Sequence, residues 1–244
     1  MEQGFLNLAQ EFKKIKSKGY VESVSVYKSR AGDTFERLLG KERDEFFLAD
    51  YEGIEIKTKK GYSKSPITLF SANPDDEYYF SLKRLVDNYG IMKNGIPQML
   101  LEVSSNRYTY YNRHCFKLEV DWQNMLVKLN IYDLNKNLLD DSVSWSFSLL
   151  KERINIKLQN LALVKCCTKQ INEKEHYWYY KMIFYKHLTF ENFIRAIEKR
   201  KIIVTFSIGI YKSGPKTGKL HNHGTAFRIM EDDLMSLYDK MYLV

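Results

Sequence analysis

The segment Ala49-Asp50-Tyr51-Glu52-Gly53-Ile54-Glu55-Ile56-Lys57-Thr58-Lys59 constrains this chain more than any other. Successive side chains of a β-strand point to opposite faces, so Glu55 and Lys57 share one side while Ile54, Ile56 and Thr58 share the other. Asp50, just before Gly53, can fold back onto the polar side. Two carboxylates on one face make an oxygen-rich pocket for Mg²⁺, a hard cation that keeps several of its waters, and the ammonium beside them can orient or activate an attacking water. The same alternation also fits an ordinary exposed strand, on which Glu-x-Lys is common. These residues alone leave both readings open.

Upstream, Arg30-Ala31-Gly32-Asp33-Thr34-Phe35-Glu36-Arg37-Leu38-Leu39-Gly40 reads as an N-capped helix with Asp33 as the cap and Glu36 three residues on. Glu36 either completes a capping box or adds a further carboxylate to the metal-binding cluster. A compact acidic cluster next to a lysine suits phosphodiester hydrolysis.

The rest of the chain reads as mixed α/β with no low-complexity linker and no internal repeat. Phe5, Leu8, Phe12 and Ile15 lie on one face of a predicted helix over 5–16. Further helices are predicted over 78–89, 147–158 and 190–199, with a closing helix at the C-terminus. Strands are predicted around 67–70, 98–103, 115–120, 125–132, 142–146, 161–169, 176–185, 202–211 and 225–229, the middle group forming an antiparallel sheet. With only 4 prolines and 12 glycines, one unit with intertwined lobes is expected.

A chain with 38 Lys and Arg against 30 Asp and Glu carries a formal net charge of +8. An excess of this sign favours a polyanion such as double-stranded DNA, bound in a salt-sensitive way. No apolar run approaches the roughly 18 to 20 residues that span a bilayer, and Met1-Glu2-Gln3-Gly4 is too polar for a secretory signal. A cytoplasmic protein with no membrane partner is therefore expected. Cys115, Cys166 and Cys167 have no metal-ligand spacing and read as idle thiols of a reducing compartment.

Two segments have the composition of a nucleic-acid surface. Tyr108-Thr109-Tyr110-Tyr111-Asn112-Arg113 mixes rings with cationic and amide groups, which suits sugar, phosphate or base contacts and equally a half-buried strand. Lys212, Lys216 and Lys219 sit on a turn with two glycines and form a basic loop. His221 and His223, two apart, share a face if extended. No Cys, Asp or third His lies at a familiar zinc spacing, whereas histidines can meet base edges and Arg228 can bridge guanine O6 and N7.

The order Gly32-x-Thr34-x-Glu36-x-Leu38-Leu39, then Ala49-Asp50-x-x-Gly53-Ile54-Glu55-Ile56-Lys57-Thr58, resembles the PD-(D/E)xK nucleases, in the branch of the MvaI/BcnI restriction endonucleases and the mismatch-repair nickase MutH. Ser65–Phe70, Ser105-Asn106-Arg107, Asp121-Trp122, Ser142–Phe147 and His221–Arg228 extend the resemblance to the MvaI-like members over nearly the whole chain. It implies a restriction-endonuclease-like α+β core, a mixed central sheet flanked by helices, two-lobed with a DNA-binding cleft. The expected organisation is one domain over 1–244, its catalytic lobe centred on about 1–90 and its recognition lobe on about 100–244.

The implied activity is that of a type II site-specific deoxyribonuclease, Mg²⁺-dependent, acting as a monomer that nicks the two strands of double-stranded DNA in succession. A cognate DNA methyltransferase would be its genetic partner. Asp50, Glu55 and the Ile56 carbonyl would hold the metal, Lys57 the attacking water, and Glu36 would assist. Asn106, Arg107, His221, His223 and Arg228 would contact DNA. The family pattern has an acidic and a basic residue two apart on the strand before the basic loop, where this chain has Thr205 and Ser207. These hydroxyls contact bases more weakly than a bidentate arginine, so a CC-W-GG or CC-S-GG target does not follow and an altered short site is expected. The alternatives are a MutH-like nickase working with repair partners and an inert DNA-binding protein on the same fold.

Overall fold

Helix α1 (Glu2–Ser17) shows how the chain begins to pack. Its Leu8, Phe12 and Ile15 are buried in one cluster with Ile54, Ile56, Val164 and Phe184, and Phe5 packs against them, the three-and-four spacing that an amphipathic helix requires. The computed structural model describes residues 2–24, 30–40, 49–75, 80–211 and 214–244, with Glu2 and His223 described by their backbones alone. They divide into two units. One comprises Met1–Ile67, Ile154–Thr189 and Leu234–Val244, the other Thr68–Arg153 and Phe190–Asp233. The fold is mixed α+β, with three sheets among the described residues.

In the first unit, β10 (Asn160–Ile171) and β11 (Lys174–Leu188) form a long antiparallel hairpin. Its turn residues Asn172 and Glu173 both have positive φ, 49° and 63°, as a tight two-residue hairpin turn needs. β1 (Val21–Glu22) and β14 (Tyr238–Leu243) pair with β11. β2 (Glu55–Lys60) runs parallel to β10, Glu55 opposite Leu161 and Lys57 opposite Leu163. The sheet is thus mixed, and β2 lies at one end of its order. Helix α2 (Arg30–Leu38) inserts Phe35 into the same core, with its ring 4.9 Å from that of Tyr179 and 6.4 Å from that of Phe12.

Two expectations need correction here. Helix α2 starts at Arg30, so Asp33 stands in its first turn and does not cap it. A carboxylate there still faces the positive end of the helix dipole, which is why the cap and the first turn look alike in sequence. The predicted closing helix is a short 3₁₀ helix (Glu231–Leu237) followed by β14. β14 gains its strand conformation by pairing with β11, from Tyr238 opposite Leu188 to Leu243 opposite Ile183, and a non-local pairing of this kind overrides local propensity.

The second unit holds the other two sheets. One runs β3-β13-β12-β5-β4, with β3 (Ile67–Ser71), β4 (Ile91–Lys93), β5 (Ile96–Val103), β12 (Ile202–Ile210) and β13 (Leu220–Ile229). The other is an antiparallel meander of β6 (Thr109–Tyr111), β7 (His114–Asp121), β8 (Leu126–Tyr132) and β9 (Leu138–Ser146), the antiparallel middle section expected. Aromatic side chains fill this core: Phe227 stacks with Phe70 at 5.0 Å and meets Trp145 edge-on at 5.5 Å. The buried Trp145 indole donates to the Ala72 carbonyl at 3.0 Å, so its one polar atom is satisfied. Helices α3 (Phe80–Tyr89) and α5 (Phe190–Glu198) belong to this unit, and α4 (Phe147–Lys157) ends in the segment that returns to the first. No helix among the described residues is long and apolar enough to cross a membrane. All three thiols are free, Cys115 and Cys166 buried.

Candidate active site

The acidic strand begins with a turn that its own residues dictate. Tyr51 and Ile54 exchange both backbone hydrogen bonds, at 3.0 and 2.8 Å, across Glu52 and Gly53, whose φ angles are 45° and 79°. Two consecutive positive φ values make a type I′ turn, which favours glycine at one of the central positions. This register sets Asp50 across from Glu55. The Ile56 amide donates to Asp50 Oδ2 at 2.9 Å, so Asp50 folds back onto the start of β2 as its spacing predicts.

Glu55 is the centre of the arrangement. Its side chain is 2 % exposed, with Lys57 Nζ 2.5 Å from Oε1 and Lys157 Nζ 3.9 Å from the same oxygen. Its second oxygen, Oε2, is buried with no hydrogen-bond partner among the described residues. Burial raises the Glu55 pKa above the usual carboxylate value and the Asp50 charge adds to this, while Lys57 and Lys157 oppose it. A buried, unsatisfied carboxylate oxygen is costly, and a cation would satisfy it. That burial removes the ordinary exposed-strand reading.

The donors fit a hard divalent cation. Asp50, Glu55 and the Ile56 carbonyl offer oxygen only, the preference of Mg²⁺. Among the described residues no group of three or more His, Cys, Asp or Glu side chains is placed to hold a metal, so such a site would rest on two carboxylates and the main chain. The Tyr238 hydroxyl is also buried without a hydrogen-bond partner among the described residues. Burial raises its pKa, and the Glu55 charge raises it further.

Glu36 and Lys57 line a cavity of about 800 Å³ with Arg30, Gly32, Lys60 and Glu175. Gly32 brings α2 close to β2: a Cβ at that position would stand 3.4 Å from Thr58 Oγ1 and 3.9 Å from Glu36 Oε1. Glu175 ties two cations together on the wall, accepting from Lys60 Nζ at 2.8 Å and Arg30 Nη1 at 3.4 Å. The Lys60 hydrogen bond holds the Glu175 carboxyl below its usual pKa. The cavity lining carries the cations Arg30, Lys57, Lys59 and Lys60 beside the acids Asp33, Glu36 and Glu175, an excess of positive charge that favours an anion.

The residues expected at the DNA surface fall in the second unit. Thr205, Ser207 and Ile203 alternate with the buried Val204, Phe206 and Ile208 along β12, so they share the open face of the sheet. Thr205 pairs with Glu102 of β5 and with Ala226 of β13, and Ile203 pairs with Arg228. Strand β13 starts at Leu220, five residues before the predicted position, and takes in His221 and His223. The His221 ring stacks on Tyr211 with centroids 4.0 Å apart. At the base of the basic segment Tyr211 N donates to Lys219 O and Gly218 N to Tyr211 O, both at 3.0 Å. Lys216 lies over the Tyr211 ring at 5.7 Å, and Lys219 is exposed. Lys212 lies outside the described residues. Asn106 has a left-handed backbone (φ 56°), and its amide donates to the Glu198 carbonyl at 2.6 Å, capping the end of α5. Arg107 is exposed and lines a second cavity, of about 490 Å³, with Glu102, Tyr108, Tyr110 and Arg200.

Lys157, Tyr238, Glu102 and Arg200 escape a sequence reading. Lys157 is the last residue of α4 and Tyr238 the first of β14, and nothing local distinguishes either from a surface lysine or a core tyrosine. Glu102 carries a faint signal, a charged residue alternating with apolar ones on a strand.

Residues 9–238 match the model of the MvaI/BcnI restriction endonuclease family. Among solved structures, the restriction endonuclease MvaI in complex with its cognate DNA substrate is 33 % identical, with a TM-score of 0.89 over 100 % of this chain and 99 % of that one. The structure of MvaI in the absence of DNA is 34 % identical, with a TM-score of 0.67 over 100 % of this chain and 98 % of the other. No curated protein matches the chain.

Proposed function

The chain belongs to the MvaI/BcnI restriction endonuclease family, and from that premise we propose that it is a Mg²⁺-dependent type II enzyme hydrolysing double-stranded DNA at a short specific site. The observation that carries this reading is Glu55, buried, bound to Lys57 through one oxygen and unsatisfied at the other. In this proposal Asp50, Glu55 and the Ile56 carbonyl would hold Mg²⁺. The bound ion would stabilise the charge that develops on the phosphate in the transition state. Lys57 orients the attacking water and, as an ammonium, favours the hydroxide electrostatically, the water's proton passing to bulk solvent. Lys157 adds positive potential from the end of α4, and Glu36 steadies the cavity wall on the side of α2.

Base recognition is assigned to the open face of β5, β12 and β13 and to the basic hairpin, through Thr205, Ser207, Lys212, Lys216, Lys219, His221, His223 and Arg228, with Arg107 on the phosphate backbone. Asn106 serves the same surface by fixing the turn that precedes Arg107. The enzyme works in the cytoplasm as a monomer that nicks the strands in succession, and a cognate methyltransferase protects host DNA.

The test is to incubate the protein with unmethylated phage DNA in Mg²⁺ or EDTA and to sequence the fragment ends. Discrete Mg²⁺-dependent fragments with a common end motif are expected. A plasmid carrying the motif should pass through a nicked form to a linear one. An end point at the nicked form would favour a nickase, and salt-sensitive binding without cutting would favour an inert DNA-binding protein.

A further inference from the structure

Glu102 is an acid on the surface proposed above to face DNA. Its side chain is 55 % exposed on the open face of the sheet, and Arg228 Nη1 reaches its Oε1 at 3.1 Å. Thr205 Oγ1 donates to the same oxygen at 3.4 Å. Two candidate base-contacting side chains, Arg228 and Thr205, therefore converge on a single carboxylate oxygen, and no described residue hydrogen-bonds to Glu102 Oε2. Around it the surface is cationic: Arg107 and Arg200 line the adjoining cavity, and neither forms an ion pair among the described residues. An acid facing a polyanion is repelled unless it accepts a hydrogen bond from a base.

We infer that Glu102 is a specificity-determining residue that reads cytosine, acting with Arg228 on one C·G pair; the inference rests on the proposed DNA-cleaving function. In the major groove, cytosine presents its N4 amino donor beside the O6 and N7 acceptors of its guanine partner. Glu102 Oε2 accepts from N4, and Arg228 donates to the guanine edge. Oε1 and Thr205 keep the arginine and the acid side by side, so the pair is presented together. Arg107 and Arg200 hold the flanking phosphates, which fix register without carrying sequence information.

The test is selection from a randomised duplex library in EDTA, where nothing is cut, with the wild-type protein, Glu102→Ala and Glu102→Gln, each checked by thermal melting. The wild type should enrich a motif containing C·G pairs. Glu102→Ala should lose about tenfold discrimination at one C·G position while the others hold. Glu102→Gln should shift that position toward adenine, whose N6 and N7 suit a glutamine amide, and it carries the test alone should the alanine variant not fold. Unchanged discrimination in both variants, or a uniform loss of affinity for all sequences, would overturn the assignment and leave Glu102 as a support for Arg228. A wild type that enriches no motif would bring down the DNA-cleaving reading itself, and Glu102 with it.

Discussion

Each unit contains a glutamate beside a cation, and the two pairs behave differently because one is buried. Glu55 and Lys57 meet at 2.5 Å with the acid 2 % exposed, whereas Glu102 and Arg228 meet at 3.1 Å with the acid 55 % exposed. Water hardly reaches the acid of the first pair, 2 % exposed against 26 % for Lys57, so its unsatisfied oxygen demands a partner. Water and salt screen the second, which is worth about 0 to 1 kcal/mol to the fold. A pair of that strength can be exchanged for hydrogen bonds to a ligand at little cost. The buried pair is thus suited to chemistry on a fixed group, and the exposed pair to choosing among ligands.

The largest effect should come from breaking the buried pair. Lys57→Ala and Asp50→Ala are each expected to lower cleavage by about a thousandfold or more while DNA binding persists. Cleavage rates compared with mobility-shift affinities test this, and wild-type-like cutting by either variant would sink the mechanism.

Glu55→Gln sharpens the contrast by separating stability from activity. The folded-state pKa of Glu55 is raised, so the folded protein holds that proton to higher pH than the unfolded chain. As pH climbs through the unfolded carboxylate value, roughly 4.3, toward the folded one, ionising Glu55 removes stability. The glutamine variant should therefore be inactive yet melt higher than wild type near pH 7.5 in EDTA. The gain should disappear near pH 4, where both carboxyls are neutral. Thermal midpoints at the two pH values decide it, and a variant that melts lower at pH 7.5 would contradict the role given to burial.

Lys157→Ala should give an intermediate effect, about tenfold on the cleavage rate, because Lys157 stands 3.9 Å from Glu55 and Lys57 remains at 2.5 Å. A single-turnover assay at saturating enzyme separates this from weakened binding. The smallest effect belongs to the exposed pair. Glu102→Ala should cost under about 1 kcal/mol of folding stability, and the difference from wild type should shrink in 1 M salt. Urea unfolding at low and high salt measures it. A loss of several kcal/mol would mean that Glu102 is bound into the structure as firmly as Glu55.

Much of the fold can be read from local pattern. The apolar faces of α1 and of β2 are periodic, and Leu8, Phe12, Ile54 and Ile56 are buried together as that periodicity requires. The hairpin of β10 and β11 and the meander β7 to β9 follow from alternating runs broken by turn residues. Local pattern fails where partners are distant. β14 is a strand only because β11 offers it an edge, and β13 extends back to Leu220 because β12 pairs with it that far.

The same division runs through the site. The sequence by itself determined the grouping of Asp50, Glu55 and Lys57, because a short turn and a two-residue alternation bring them together whatever the rest of the chain does. Only the tertiary structure decided that Glu55 is buried, since burial depends on β10, α4 and β14 arriving from distant segments of the sequence. It likewise decided that Lys157 and Tyr238 adjoin Glu55, and that Glu102 meets Arg228 across 126 residues of sequence. Short-range geometry is encoded in the backbone periods of single elements. Desolvation and long-range pairing arise only when several elements pack, and no single segment carries that information.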